Sequence, residues 1–250
     1  MSLLTQLDAG ILTLTLNRPE KRNALDTPTL EALHAALERA DLDAAVRVVA
    51  FRGAGKDFCA GADLDELLAS AGGTPEENER VALRLGTLFI RMREVPKPVV
   101  AVVHGRVLAG GLGLASACDL VLAAASAQFG YPEIQRGFVP AMVMTMLRRI
   151  AGEKIAFDLA ATGRVVGAEE ACRIGLVSRV IPDGVLEPTV REVLAGMAQT
   201  SASAMALTKQ QFYQLDDLPF GEGIRLGAKV NALARGHPDF REAIERFLRK

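Results

Sequence analysis

Along the first half of the chain, apolar and polar positions alternate or recur with periods that predict an α/β protein. Residues Leu3 to Leu16 alternate around Asp8-Ala9-Gly10, the pattern of a β-hairpin with an Asp-containing turn. Thr27 followed by Pro28 reads as a helix start with Thr27 as cap, and Leu30, Leu33, Leu37 and Ala40 continue at helical spacing. Val46 to Arg52 reads as a strand, and Glu76 to Arg93 as a helix. Val99 to Val103 is an unbroken apolar run of strand length, which predicts a strand buried on both faces. Leu108 to Ala117 is small and apolar, as a buried helix would be, and Leu120 to Ala123 reads as a further strand. From Ala141 onward the pattern is mainly helical, with turns at Pro182-Asp183-Gly184 and Asp217-Leu218-Pro219. The expected organisation is an α/β core over residues 1–190 and a helical covering or oligomerisation region over 191–250.

Composition narrows the function. Half of the 250 residues are apolar and about a quarter are charged, as expected of a water-soluble globular protein. No apolar run reaches the ~18 residues that span a bilayer, and no signal segment is evident, so a cytoplasmic protein without a membrane partner is expected. A net charge of −1 without a basic stripe argues against nucleic acid as a partner. The three cysteines (Cys59, Cys118, Cys172) and three histidines (His34, His104, His237) lack metal-ligand spacing, so neither a disulfide framework nor a metal site is expected.

Two small-residue segments carry the candidate chemistry. Cys59-Ala60-Gly61-Ala62-Asp63-Leu64 and the stretch from His104-Gly105 through Ala109-Gly110-Gly111-Leu112-Gly113 each follow a predicted strand and open a helix. Free N–H groups at such turns can face a ligand, and small side chains let it approach the backbone. Neither segment matches a nucleotide-phosphate fingerprint. Taken singly, each reads more readily as a tight strand-to-helix turn, since Gly-rich turns are common in α/β folds.

Five ordered segments make a more specific pattern. Asn17-Arg18-Pro19-Glu20-Lys21-Arg22-Asn23-Ala24-Leu25 resembles the opening motif of the enoyl-CoA hydratase/isomerase (crotonase) family. Phe58 to Leu64 resembles its first oxyanion segment, and Lys97 to Gly105, continuing to Cys118-Asp119-Leu120, resembles its second. Ala127-Gln128-Phe129-Gly130-Tyr131-Pro132-Glu133 resembles the catalytic-glutamate segment, and Gly163-Arg164, Ala168 to Ala171 and Gly175-Leu176-Val177 the later signature.

The resemblance implies a spiral of ββα turns with a helical C-terminal region, assembled as a trimer or a dimer of trimers. It implies an oxyanion hole built from the N–H groups of Ala62 and Gly110, with Glu133 as acid/base on an acyl-CoA thioester. It places coenzyme A, as part of the substrate, against Lys21, Arg22, Ala24, Ala60, Asp63 and Leu64. Phe247 and Lys250 would reach CoA on a neighbouring subunit. No metal or other cofactor is implied. From the residues alone, Lys21 and Arg22 could equally be a solvated pair, and Phe247 part of an amphipathic face with Ile244 and Leu248. His104, at the end of a buried strand, is expected to be a hydrogen-bonded structural residue.

One departure bears on the reaction. Where hydratases of the family carry a second glutamate, this chain has Gly113. Hydration uses two carboxylates on one water, whereas isomerisation can proceed with one. Both reactions stay open, as do decarboxylation, dehalogenation and thioester hydrolysis on the same scaffold. So does an acyl-CoA-binding role without turnover.

Overall fold

A computed structural model of the chain describes residues 1–249. Lys250, expected at the CoA site of a neighbour, lies outside the described residues. Strands β1 (Leu3–Asp8) and β2 (Ile11–Leu16) form the expected hairpin, its turn made by Ala9 and Gly10, both at positive φ. Helix α1 (Thr27–Leu42) carries the chain to β3 (Val48–Gly53), parallel to β2. The cap of α1 is Asp26 rather than the expected Thr27, because the Asp26 carboxylate accepts the Thr29 N–H at 2.9 Å.

Two later turns of the chain repeat one plan. A strand joins a six-stranded sheet, a short strand joins a second sheet, and a helix follows. Helices α2 (Leu64–Ser70) and α3 (Pro75–Glu94) lead to β4 (Val99–Val103), β5 (Arg106–Leu108) and α4 (Gly110–Ala117). Then come β6 (Leu120–Ala124), β7 (Gln128–Gly130), α5 (Ala141–Ala151), α6 (Glu153–Thr162), β8 (Val165–Gly167), α7 (Ala168–Arg173) and β9 (Arg179–Ile181). The large sheet runs β1-β2-β3-β4-β6-β9, parallel beyond the first hairpin, and the small one β5-β7-β8. The predicted helix over 108–117 therefore starts at Gly110, with Leu108 in a strand. The three-residue strands β5, β7, β8 and β9 are too short to leave a hydrophobic period.

Alternation explains why β4 is apolar throughout. Val99, Ala101 and Val103 face the main core with Val49 and Phe51. Val100 and Val102 face the other way with Val48, Ala50 and Leu122, against Val190, Leu194 and Ala198 of α8 (Leu186–Ala198). The expected division near residue 190 thus falls inside a helix that covers the sheet.

Helices α9 (Ala202–Gln214), α10 (Phe220–Gly236) and α11 (Pro238–Leu248) complete the chain. Among the described residues α10 and α11 bury none, and Phe220, Ile224, Leu233, Phe247 and Leu248 are exposed. No helix among the described residues is long and apolar enough to cross a membrane.

Candidate active site

The site begins with the pairing of two irregular segments. Arg22 and Asn23 both sit in the left-handed region, at φ 51° and 55°, which turns the chain so that Leu25 runs parallel to Ala62. Leu25 N–H donates to Gly61 O at 2.8 Å, and Asp63 N–H donates to Leu25 O at 2.9 Å. In extended backbone, successive N–H groups point to opposite sides. With Asp63 turned toward Leu25, the N–H of Ala62 is turned away from it.

The second segment runs from β5 into α4. Ala109 N–H donates to Gly130 O at 2.9 Å, and Ala109 itself takes φ 50°, ψ −128°, a conformation that costs an alanine about 1–3 kcal/mol. Gly110 then opens α4, where the first N–H groups have no intrahelical acceptor. The two segments are in contact. A Cβ built on Gly61 would lie 3.2 Å from Gly110 N and 2.7 Å from the Ala109 Cβ, and one on Gly110 would lie 3.6 Å from Ala62 N. Among the described residues neither the Ala62 nor the Gly110 N–H has a hydrogen-bond acceptor. Both residues are partly solvent-accessible. Gly111 fixes the helix against the first segment, since a Cβ there would stand 2.4 Å from Cys59 O. Cys59 is packed away with its thiol pushed up to about 12 by burial, which leaves it inert.

Glu133 lies three residues beyond Gly130, in a 3-10 turn from Pro132 to Arg136. It is only 9 % exposed, and among the described residues its Oε2 has no partner. Burial holds its carboxyl above the usual glutamate range, against the weaker opposing pull of a backbone hydrogen bond and Arg136. A buried, unpaired carboxylate is costly in a purely structural role. Two further buried hydroxyls, Tyr131 OH and Ser116 Oγ, also lack partners among the described residues.

Gly113 is enclosed by apolar side chains. A Cβ there would stand 2.4 Å from Val143 Cγ1 and 2.9 Å from Phe89 Cζ. Gly113→Glu is therefore expected to lower the melting temperature, since overpacking a filled core costs about 1–3 kcal/mol. Adding Val143→Ala should recover part of that loss, and thermal melts of the single and double variants check both.

The candidate CoA residues divide. Lys21, Arg22, Ala24, Ala60, Asp63 and Leu64 come together through the pairing of 22–25 with 60–63, supported by Ala60 N–H donating to Arg22 O at 3.0 Å. Lys21 Nζ meets Asp65 at 2.8 Å on the surface. The Asp63 side chain is engaged as the cap of α2 and with Arg18 at 2.9 Å, its N–H donates to Leu25 O and its carbonyl accepts the Leu67 N–H, so Asp63 holds the loop together. Phe247 lies instead on α11, where it is 74 % exposed. His104 Nε2 sits 2.9 Å from Gly55 O, the structural contact expected of it. No three His, Cys, Asp or Glu side chains among the described residues are grouped to hold a metal.

Sequence reasoning missed Asn23, whose buried amide donates to Ala54 O and Asp57 O at 2.8 Å each, and the neighbouring Arg18. Both stand in the Asn17–Leu25 motif, but nothing in that motif distinguishes a loop-holding side chain from a ligand-binding one.

The repeating strand–strand–helix spiral is that of the crotonase fold. A solved enoyl-CoA hydratase from Mycobacterium smegmatis superposes with a TM-score of 0.95 at 32 % identity, over 100 % of this chain and 96 % of that one. The sequence model described as enoyl-CoA hydratase/isomerase matches residues 6–250, and the chain belongs to that family. A Thermus thermophilus protein assigned as an enoyl-CoA hydratase is 40 % identical over 99 % of this chain and 98 % of its own length. Two Escherichia coli relatives differ in the reaction they are named for. A 2,3-dehydroadipyl-CoA hydratase is 32 % identical over 99 % of this chain and 96 % of its own. A 1,2-epoxyphenylacetyl-CoA isomerase is 31 % identical over 99 % and 95 %. Identity therefore does not choose between hydration and isomerisation.

Proposed function

We propose that this enzyme moves a proton on an acyl-CoA thioester enolate with a single carboxylate, Glu133, and that double-bond isomerisation is its reaction. The thioester oxygen would sit between the Ala62 and Gly110 N–H groups, where two fixed donors stabilise negative charge as it develops. Glu133 would take a proton from C2 of a 3-enoyl thioester, with the electron pair delocalising into the carbonyl as a dienolate. The protonated Glu133 would then return the proton to C4, leaving the double bond between C2 and C3. Proton balance closes within one residue, and no cofactor beyond the CoA of the substrate is required. Lys21, Arg22, Ala24, Ala60, Asp63 and Leu64 would line the CoA.

One observation carries the choice of reaction. The place where a second carboxylate would stand is Gly113, enclosed by Val143 and Phe89. Hydration is the second reading, favoured by the relatives named as hydratases. The exposed apolar face of α10 and α11 supports self-association, as a trimer or a dimer of trimers, with Phe247 available to a neighbour.

The test is a side-by-side assay of crotonyl-CoA and a 3-enoyl-CoA. Isomerisation well above hydration is expected. Faster hydration of crotonyl-CoA would overturn the single-base assignment and require a second acid elsewhere in the site.

A further inference from the structure

We infer that Arg18 is a positioning residue for the first oxyanion donor, acting through the backbone and Asp63 without touching the substrate. This rests on the proposed role of the Ala62 and Gly110 N–H groups. Arg18 stands two residues beyond β2, yet its guanidinium reaches both sides of the Leu25–Ala62 pairing. On the Leu25 side, Nη1 donates to Ala24 O at 2.8 Å and lies 3.2 Å from the Asp26 carboxylate. On the Ala62 side, Nη2 donates to Asp63 Oδ2 at 2.9 Å.

Asp63 carries that restraint to the donor. It follows Ala62 directly, and its other carboxylate oxygen accepts the Asp65 N–H at 3.0 Å at the start of α2. Its own N–H is held on Leu25 O. Ala62 is thus fixed between Gly61 O on Leu25 and a residue anchored at backbone and side chain alike. The Arg18 backbone is anchored in turn, since its N–H donates to Asn23 Oδ1 at 2.9 Å. A planar guanidinium can hold several acceptors in one fixed fork, which a lysine ammonium cannot reproduce.

Charge gives Arg18 a second effect. Asp63 is 6 % exposed and adjoins the residue whose N–H would face a developing enolate. Burial raises the Asp63 carboxyl, but the Arg18 hydrogen bond and the Asp65 and Glu66 N–H groups outweigh it and leave the group ionised. Without Arg18, the buried Asp63 carboxylate beside Ala62 would lose its positive partner. The positive partner lets an anionic helix cap sit beside a site for negative charge.

The experiment uses butyryl-CoA carrying a ¹³C thioester carbonyl, which cannot be hydrated or isomerised. Two quantities are read at saturating ligand. The shift of the carbonyl stretch on binding reports polarisation by the N–H groups, and exchange of the α-protons in D2O reports enolisation. Arg18→Met is expected to shrink the carbonyl shift and slow exchange about 30-fold, part of the roughly 10²–10³ that loss of a whole oxyanion donor costs. A merely structural role would lower the melting temperature and leave the shift of the bound, folded protein intact. That result, with exchange within about twofold of wild type, would overturn the inference. Arg18→Lys serves if the methionine variant does not fold. One ammonium cannot span Ala24 O, Asp26 and Asp63 together, so part of the shift should still be lost, and a full wild-type shift and rate would overturn the inference. No shift in the wild-type protein would instead overturn the oxyanion assignment itself.

Discussion

Glu133→Gln is expected to slow α-proton exchange by about 10²–10⁴, the usual contribution of a positioned acid/base. The same substitution is expected to raise the melting temperature. The sign follows from the direction in which Glu133 titrates. Burial raises its carboxyl in the folded state, so folding favours the protonated form, and above that raised value the ionised group opposes folding. Glutamine removes the charge at nearly constant shape. Its stabilisation should be present near pH 8 and vanish below the value glutamate has in the unfolded chain. The wild-type exchange rate should rise with pH through the raised value, because only the ionised form is a base. Exchange kinetics and thermal melts across this range check both. Unchanged exchange in the glutamine variant would remove Glu133 from the mechanism.

The largest stability effect is expected at a buried ion pair on α9. Lys209, on α9, is buried against Met92 O at 2.7 Å, Lys97 O at 2.9 Å and the Asp119 carboxylate at 2.9 Å. Asp119 also accepts from Val99 N–H and Tyr213 OH, both at 2.7 Å, and Arg93 lies 4.6 Å over the Tyr213 ring. This network ties α9 to the end of α3 and the start of β4. Burial alone would pull the lysine toward its neutral form, while Asp119 favours the charged one. Removing one member of such a pair leaves the other buried and unpaired, a loss of about 3–5 kcal/mol. Lys209→Met should therefore lower the melting temperature by roughly 10 °C, given about 2–4 °C per kcal/mol for a chain of this size. A second substitution, Asp119→Asn, should recover part of the loss. A shift below about 1 °C in melts at matched protein concentration would show that packing by the methionine replaces the pair.

Short-range pattern along the chain encodes only part of this protein. The hairpin at Ala9-Gly10, the doubly buried run Val99–Val103 and the α3 helix were legible because each has its own period or turn chemistry. The ordered motifs, with glycines where backbone must approach backbone, carried the family and the fold. Gly113 in place of a carboxylate was also visible as a residue type. The rest depends on contacts between distant parts of the chain. Strands of three residues have no period to read, and their pairing was fixed only by partners far along the chain. The freedom of the Ala62 N–H follows from how residue 61 to 63 pairs with Leu25, a contact across 37 positions that residue types do not reveal. The burial of Glu133, the closure of Gly113 by Val143 and Phe89, and the reach of Arg18 from one loop to Asp63 have the same physical basis. Each depends on which side chains the folded backbone brings within a few ångströms, and local sequence carries no record of that distance.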